Sequence, residues 1–397
     1  MLQLFKSQES YLARLDGKPY MFAEPGSGKT LMSIYRAYRE GAYKLLIICP
    51  ATVRDTHQWQ QEIEKSGLQF DEVEVQSHAY LQKYKTLNLP SKYADYFIII
   101  DEAHRIANSQ SKQGQGAYHL IMQNRAGYLL LSGTPMSKWA DAVNYAKITG
   151  LVKHKTEFYK RFVVEQPSYA HKGKDIVGYR DTDTLIRWWD SIATRGRAEE
   201  FVELPKAMKI SVDIPIKRKG YIEMIKTRTR DGEPLDSAPK LNWALRQYAE
   251  TAPEKLKWVV EKIQDLDNAI VFCNTIAAMD TLSEQLTKAG IKHGIWCGKR
   301  KDKFEDQDVM IVQYQSGGTG LNLQKFNATI FLSPCYSFID YVQAVKRTHR
   351  TGQTERCLFY QLKAVNTIDG AIYRALAAKA DFDDKLVGVD NIMEVLG

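Results

Sequence analysis

Hydrophobic positions along the chain form short runs, and helix-like segments with a mixed polar pattern separate them. The runs lie at residues 19–23, 44–50, 72–77, 96–100 and 127–132, and again at 269–273, 292–297, 309–314, 328–332 and 357–362. Short apolar runs of this kind are typical of parallel strands buried on both faces. The rhythm of strand and helix occurs twice. We therefore predict an α/β fold with two tandem parallel-sheet domains.

Residues 150–205 interrupt this rhythm. They are rich in aromatic and basic residues and lack the spacing of the strands. We interpret them as a short, mostly helical insertion on a first domain that covers residues 1–205. The second domain then covers residues 206–397, and its polar segment 227–240 is the most loop-like part of the connection before a helix at 252–264.

Length and composition agree with this division. A chain of 397 residues suggests two domains of roughly 200 residues each, and 44% hydrophobic with 26% charged residues indicates a globular protein. No apolar run is long enough to cross a bilayer, and the first residues lack the apolar core of a signal peptide. The five cysteines form no CxxC pair, which argues against disulfides and structural zinc and fits a reducing cytosol. The net charge of +8 permits a polyanionic partner without identifying one.

The stretch AEPGSGKT, residues 23–30, lies between a predicted strand and a predicted helix. Glycines in such a loop let backbone N–H groups approach phosphate oxygens, and the helix N-terminus favours negative charge. A tight turn before a helix is the alternative, but such a turn does not require Lys-Thr after the last glycine. Ala23 replaces the usual first glycine, at a strand position that needs no phosphate contact. We predict a nucleotide·Mg²⁺ site in which Lys29 reaches the terminal phosphates and Thr30 binds Mg²⁺. The loop residues in contact with the nucleotide are Gly26, Ser27, Gly28, Lys29 and Thr30.

The stretch IIIDEAHR, residues 98–105, is an apolar strand that ends in two acids. The carboxyl edge of a parallel sheet is where ligands bind. Asp101 can hold Mg²⁺, directly or through water, and Glu102 can act as the general base for the attacking water. A pair of acids that merely ends a strand is the alternative. Its occurrence together with AEPGSGKT in one sheet favours catalysis.

The stretch QAVKRTHRTGQ, residues 343–353, supplies candidates for the other half of such a site. Arg347 and Arg350 are three residues apart on one face of a predicted helix, with Gln343 one turn earlier. The planar arginine fork can stabilise charge on a transferring phosphoryl group, although a basic helix face in solvent would have the same pattern. The segment GGTG, residues 317–320, permits close backbone approach to phosphates of DNA or nucleotide, and Asn322 adds a donor and an acceptor.

Together these motifs resemble helicase superfamily two, and more narrowly its Swi/Snf-type branch of DNA-translocating ATPases with a DEAH box. The resemblance covers nearly the whole chain, in order: SQESYLARL (7–15), IICPATVRDTHQWQQEI (47–63), LLLSGTPM (129–136), IATRGRAEEFVELP (192–205), VQYQSGGTGLNL (312–323), QAVKRTHRTGQ and VNTIDGAIYRALAAKA (365–380). It implies two RecA-like domains with ATP between them. The short insertions and the lack of accessory domains favour a compact form of viral or bacterial origin.

The resemblance also implies roles for individual residues. Gln8 would sense the adenine, and Gly318 and Gly320 would contact the nucleotide from the second domain. The segments that contact nucleic acid or couple to it would contribute Thr52, Arg54, Ser132, Thr134, Gly317 and Asn322. The tryptophans Trp59, Trp188 and Trp189 are more typical of a packed core than of base-stacking platforms.

The resulting hypothesis is ATP-driven translocation on double-stranded DNA, with branch migration, fork remodelling or removal of bound proteins as its output. A strand-separating helicase on DNA or RNA is a neighbouring alternative, although no wedge hairpin is evident in the sequence. A nucleotide-gated DNA-binding adaptor without turnover is the third. We expect a cytoplasmic monomer without membrane association, in the host cytoplasm if viral, whose partners are double-stranded or branched DNA and replication or recombination proteins.

Overall fold

The computed structural model describes residues 3–86, 92–168, 173–314, 323–350 and 352–385, and of residues 380–385 only the backbone. The chain divides into two compact units, residues 1–203 and residues 204–397. Each unit is built around its own sheet of six strands, all parallel. The prediction of an α/β fold with two tandem parallel-sheet domains is confirmed.

The sheet of the first unit has the strand order β3-β2-β4-β5-β1-β8. Its strands are β1 (Tyr20–Ala23), β2 (Lys44–Cys49), β3 (Glu72–Ser77), β4 (Phe97–Ile100), β5 (Tyr128–Ser132) and β8 (Ala193–Gly196). The central strands are buried on both faces, which is why their sequences are continuous apolar runs. Because β5 lies between β1 and β4, the segments that follow these three strands leave the same sheet edge side by side.

The helices of the first unit cover both faces of this sheet. They are α1 (Lys6–Arg14), α2 (Lys29–Arg39), α3 (Ala51–Asp55), α4 (Gln58–Ser66), α5 (Lys112–Met122), α6 (Val143–Ile148), α7 (Lys155–Phe162) and α8 (Thr182–Ile192), with 3₁₀ turns at His78–Tyr84, Ala103–Ile106, Trp139–Ala142 and Ala198–Glu200. On one face Trp59 packs with residues of α1 and α2, and on the other Trp189 packs against Tyr20 and Tyr145. All three tryptophans considered above are buried, as predicted for core residues.

The insertion contains strands that the sequence pattern did not reveal. Between α7 and α8, an antiparallel hairpin joins β6 (Val163–Pro167) to β7 (Lys174–Tyr179). After α8, the polar stretch ATRG forms β8 and adds a sixth strand beside β1. The insertion thus returns the chain to the edge of the main sheet next to the glycine-rich loop.

The sheet of the second unit has the order β13-β14-β12-β15-β16-β9. Its strands are β9 (Ala207–Ile214), β12 (Ala269–Cys273), β13 (His293–Trp296), β14 (Val309–Gln313), β15 (Ala328–Phe331) and β16 (Cys357–Ala364). The helices are α9 (Lys219–Thr227), α10 (Ala238–Glu250), α11 (Pro253–Gln264), α12 (Ile276–Lys288), α13 (Phe338–Thr348) and α14 (Ile368–Lys385).

The segment predicted as the most loop-like, residues 227–240, is more ordered than its sequence suggested. It contains a short hairpin of β10 (Thr229–Arg230) and β11 (Glu233–Pro234), and α10 begins within it. This hairpin and helices α9 and α10 surround a small apolar cluster that includes Tyr221, Leu235 and Leu245.

All five cysteines are buried and unpaired. Within the described ranges, no helix has both the length and the apolar character that a membrane span requires.

Candidate active site

The glycine-rich loop has the shape of a phosphate cradle. It follows β1, and its two glycines, Gly26 and Gly28, adopt positive φ angles of 88° and 84°. Helix α2 starts at Lys29, so its unsatisfied N–H groups and the positive end of its dipole face the loop. The Ser27 hydroxyl is buried and finds no hydrogen-bond partner among the described residues. These features fit a bound polyphosphate that accepts hydrogen bonds from the loop.

Gln8 of α1 lies directly against this loop. Its Nε2 donates to the carbonyl of Ser27 at 3.0 Å, and its Oε1 accepts from the Phe5 amide at 3.0 Å. A Cβ atom built on Gly28 would lie only 2.3 Å from Gln8 Nε2. The structure therefore shows Gln8 supporting the loop backbone, and the prediction that it also senses the adenine stays a prediction.

The two acids after β4 occupy a strained turn. Glu102 has φ 49° and ψ 50°, a left-handed conformation that is unfavourable for a residue other than glycine. Its amide donates to Asp101 Oδ1 at 2.9 Å, and His78 Nε2 lies 2.8 Å from the Asp101 carbonyl oxygen. Strain of this kind costs about 1–3 kcal/mol. The backbone turn sets the direction of the Cα–Cβ bond of Glu102.

The electrostatics of Asp101 match a cation-binding role. Burial and the neighbouring Glu102 carboxylate raise the pKa of Asp101 to about 7, while the positive charge of Lys29 lowers it. The influence of Lys29 on this pKa shows that the loop lysine and the carboxylate are close enough to interact. A divalent cation at this position would favour the ionised carboxylate.

The loop after β5 connects the acids to the phosphate loop. His104 Nδ1 lies 3.3 Å from Glu102 Oε2 and 3.4 Å from Ser132 Oγ, and the Thr134 amide donates to Ser132 Oγ at 3.1 Å. A Cβ atom on Gly133 would lie 2.9 Å from Pro25 Cδ in the phosphate loop. These contacts form a continuous path from Glu102 to the loop at residues 132–135.

Ser132 and Thr134 were predicted to belong to the segments that contact nucleic acid or couple to it, and this assignment stays a prediction. They are 0% and 3% exposed, so neither hydroxyl is accessible to a DNA backbone. Their hydrogen bonds make them internal connectors between the acids and the β5 loop. Sequence alone could not distinguish a residue that touches DNA from one that transmits its effect.

Tyr145 of α6 adds a second connection that the sequence analysis missed. Its side chain is fully buried, and its hydroxyl lies 3.0 Å from the Ala103 carbonyl and 3.2 Å from the Pro135 carbonyl. The same hydroxyl thus holds the turn after Glu102 and the loop after β5. His104 could have been found from its place in the DEAH sequence, but Tyr145 has no comparable signal.

Thr52 and Arg54, the other predicted nucleic-acid residues of the first unit, lie on the short helix α3 after β2. Thr52 is exposed, and the Arg54 guanidinium pairs with Asp55 at 2.7 Å. An exposed pair of this kind contributes little to stability and can be exchanged for a phosphate. Their assignment to DNA stays a prediction.

Four predicted residues of the second unit, Gly317, Gly318, Gly320 and Asn322, lie outside the described residues. Gln343 and Arg347 lie one turn apart on α13 and are partly buried. Arg350 is not on this helix, contrary to the prediction, because α13 ends at Thr348 and His349 adopts a non-helical ψ of 82°.

Side-chain contacts explain this ending. His349 Nε2 lies 2.8 Å from the Pro205 carbonyl, and the buried Gln353 side chain donates to the carbonyls of Gln324 and Phe326. Burial lowers the pKa of the Arg350 guanidinium, whose Nε has no partner among the described residues.

The first unit therefore holds residues that fit Mg²⁺ and a nucleoside triphosphate. Gly26, Ser27, Gly28 and Lys29 would bind phosphate oxygens, while Thr30 and Asp101 would bind the metal. Within the described part of the chain, no three His, Cys, Asp or Glu residues cluster as a metal site. A metal held here would take its remaining ligands from phosphate and water, as Mg²⁺ commonly does.

Comparison with known proteins gives two family matches. The SNF2-related domain matches residues 67–157, and the helicase conserved C-terminal domain matches residues 253–352. The first match contains Asp101, Glu102 and the β5 loop, and the second contains Gln343, Arg347 and Arg350.

Curated relatives are similar over most of this chain. The chromodomain-helicase-DNA-binding protein 1-like of Danio rerio is 25% identical over 92% of the chain, and an uncharacterized ATP-dependent helicase of Bacillus subtilis is 23% identical over 97%. A SWI/SNF-related matrix-associated actin-dependent regulator of chromatin subfamily A-like protein 1 of Drosophila melanogaster is 25% identical over 93%. The chain spans 41%, 79% and 54% of the lengths of these relatives, respectively.

Among solved structures, the Sulfolobus solfataricus SWI2/SNF2 ATPase core in complex with dsDNA aligns with 97% of this chain and 93% of that chain. The sequence identity is 18% and the TM-score is 0.42.

Proposed function

The chain carries an SNF2-related domain and a helicase conserved C-terminal domain, as in an SNF2-type ATPase of helicase superfamily two. We propose that this protein hydrolyses ATP and thereby moves along double-stranded DNA. The observation that carries this proposal is the linked arrangement in the first unit. The phosphate loop, the strained Glu102 and the buried loop at residues 132–135 are joined at one sheet edge by direct contacts.

The residues of the first unit have distinct roles in this proposal. The loop amides and Lys29 bind and orient the triphosphate, and Mg²⁺ supplies charge neutralisation at the phosphates. The backbone turn at Glu102 aims its carboxylate so that it can accept a proton from the attacking water. The second unit contributes Arg347 and Arg350, which stabilise negative charge on the transferring group.

Coupling to DNA follows from the connections of Glu102. A shift of the loop at residues 132–135 changes the environment of His104, which lies between Ser132 and Glu102. DNA that displaces this loop therefore alters the position of the general base. We propose that this path makes hydrolysis depend on DNA, with branch migration, fork remodelling or removal of bound proteins as the result.

The deciding experiment compares ATPase rates with single-stranded DNA, duplex DNA, branched DNA and RNA. Duplex DNA is expected to stimulate strongly, and displacement of a triplex-forming strand should occur without unwinding of the duplex. The name of the Danio rerio relative contains both helicase and DNA-binding, which supports DNA as the polymer. Stimulation by RNA alone would contradict the proposal.

A second candidate function, strand separation, is favoured by one observation. The β6–β7 hairpin forms its own two-stranded sheet within the insertion. It carries Lys174, opposite Pro167 at the end far from α7, and Lys160 lies on α7 just before the hairpin. The matched test is a forked duplex with a labelled strand. Release of that strand by wild-type protein, and loss of release when β6 and β7 are replaced by a short glycine-serine link, would establish this function instead.

An adaptor without turnover is disfavoured by the presence of Glu102 and of the arginines Arg347 and Arg350. A protein that only binds nucleotide needs neither a general base nor groups that stabilise charge on a transferring phosphoryl group.

A further inference from the structure

Two arginines beside the phosphate loop have buried guanidinium nitrogens without hydrogen-bond partners. Nε and one terminal nitrogen of Arg195, and one terminal nitrogen of Arg197, are inaccessible to water and make no hydrogen bond within the described residues. Both residues belong to the stretch ATRGR, which forms β8 and the turn after it. The mechanism above uses neither of them.

Strand pairing fixes their place. Strand β8 runs parallel to β1, with Arg195 opposite Phe22 and Gly196 opposite Ala23. Glu24, at the start of the phosphate loop, makes hydrogen bonds to the end of this strand and to the turn after it. The Glu24 amide donates to the Gly196 carbonyl at 3.0 Å, and the Ala198 amide donates to Glu24 Oε2 at 3.1 Å. The two arginines therefore stand at the sheet edge next to the start of the loop.

The nearby charges do not account for them. The Arg195 guanidinium lies over the Phe22 ring, 5.3 Å from its centroid, which offsets only part of the cost of burying a cation. The Glu200 carboxylate pairs with Arg14 and accepts a hydrogen bond from the Arg197 backbone amide at 2.8 Å. Buried guanidinium nitrogens without hydrogen-bond partners cost free energy until an acceptor meets them.

We propose that Arg195 and Arg197 form a phosphate-binding subsite, here called the arginine pair, which extends the phosphate loop on its β8 side. The planar fork of arginine binds phosphate through two parallel hydrogen bonds, which matches the unused nitrogens. The phosphate belongs to the nucleotide in the adjacent loop or to a DNA backbone, and this inference rests on the proposed function.

The test uses the full chain with Arg195→Met and Arg197→Met. Methionine removes the charge and keeps a long apolar stem, which at position 195 can still pack against Phe22. Without ligand, both variants should melt at the same temperature as wild type or higher, because buried nitrogens without hydrogen-bond partners are gone. With ATP·Mg²⁺ each should lose most of the rise in Tm that wild type gains, corresponding to a loss of affinity of about tenfold or more. Arg195→Lys and Arg197→Lys, which keep the charge without the fork, should fall between.

Three comparisons separate the possible sources and roles. Arg125→Met, an exposed arginine of the same unit, is the matched control and should leave every ligand response unchanged. Duplex DNA binding is also measured without nucleotide. If the methionine variants bind DNA more weakly than wild type but respond normally to ATP, the arginine pair binds a phosphate of DNA. A fall in Tm without ligand or failure to fold, together with normal ATP and DNA responses in the lysine variants, assigns the arginines a structural role and overturns the proposal.

Failure of the proposed function has a different signature. If ATP·Mg²⁺ does not raise the Tm of wild type, or if Lys29→Ala retains the full rise, the phosphate loop is not the nucleotide site. In that case the responses to inorganic pyrophosphate and to duplex DNA test independently whether the arginine pair binds phosphate. A response to either ligand that disappears in the methionine variants supports the pair, and equal responses in wild type and variants overturn it.

Discussion

At the scale of single residues, Glu102 carries the most specific prediction. Glu102→Gln keeps the size of the side chain but removes the basic oxygen, so it should retain ATP binding and lose turnover by about 10²-fold or more. Equilibrium binding and steady-state hydrolysis, measured on one preparation, check both halves. Glu199→Gln, which changes an exposed acid of the same unit, is the control. Hydrolysis near the wild-type rate would remove the general-base assignment.

Gly28 permits a second prediction at this scale. Gly28→Ala must place a Cβ at φ 84° and 2.3 Å from Gln8 Nε2, so it should weaken ATP binding by about tenfold or more. Gly17→Ala is a matched control, because φ is 70° there but no atom lies within 4 Å of the added Cβ. Isothermal titration with ATP·Mg²⁺ measures both. If Gln8→Ala does not restore part of the affinity lost in Gly28→Ala, the contact between them is not the cause.

At the scale of elements, Tyr145 of α6 connects two loops that the proposed coupling requires. Tyr145→Phe removes a hydroxyl that meets the carbonyls of Ala103 and Pro135, at a cost of about 1–2 kcal/mol in stability. The stimulation of ATPase by duplex DNA should fall more than the basal rate, because the path to Glu102 loosens. Trp188→Phe is the control. It changes another buried aromatic residue of this unit and removes one hydrogen bond, from Trp188 to Thr149. Equal loss of both rates in Tyr145→Phe would make its role purely structural.

The elements also show what the sequence could and could not predict. The central strands were predictable because burial on both faces requires continuous apolar runs, as in Leu45–Cys49. The edge strands β8 and β9 were missed because ATRG and AMKISVDI are polar or alternating, so neither forms an apolar run. The phosphate loop and the acids were recognisable because their residue types are fixed by chemistry. The left-handed turn at Glu102, the burial of Ser132 and the unpaired arginines depend on tertiary contacts that no local pattern records.

At the scale of the whole molecule, the remaining prediction concerns hydrolysis by residues from both units. The phosphate loop and Glu102 belong to the first unit, and Arg347 and Arg350 belong to the second. Arg350 stands just beyond the end of α13, where burial of its guanidinium group lowers its pKa. A desolvated arginine of this kind is suited to a negative charge that it meets only during the reaction.

If Arg350 acts in this way, Arg350→Ala should cut DNA-stimulated hydrolysis by about 10³-fold or more while ATP binding to the DNA-free protein changes little. Lys29→Ala should show the opposite pattern, with ATP affinity lost first, because it changes the loop that binds the ground state. Arg356→Ala, an exposed arginine of the second unit, provides the control for removal of positive charge. The two kinetic signatures separate binding from catalysis, since an arginine that acts only in the transition state lowers kcat and kcat/KM together. An Arg350→Ala protein that hydrolyses ATP at the wild-type rate would remove this assignment from Arg350 and leave that of the phosphate loop in place.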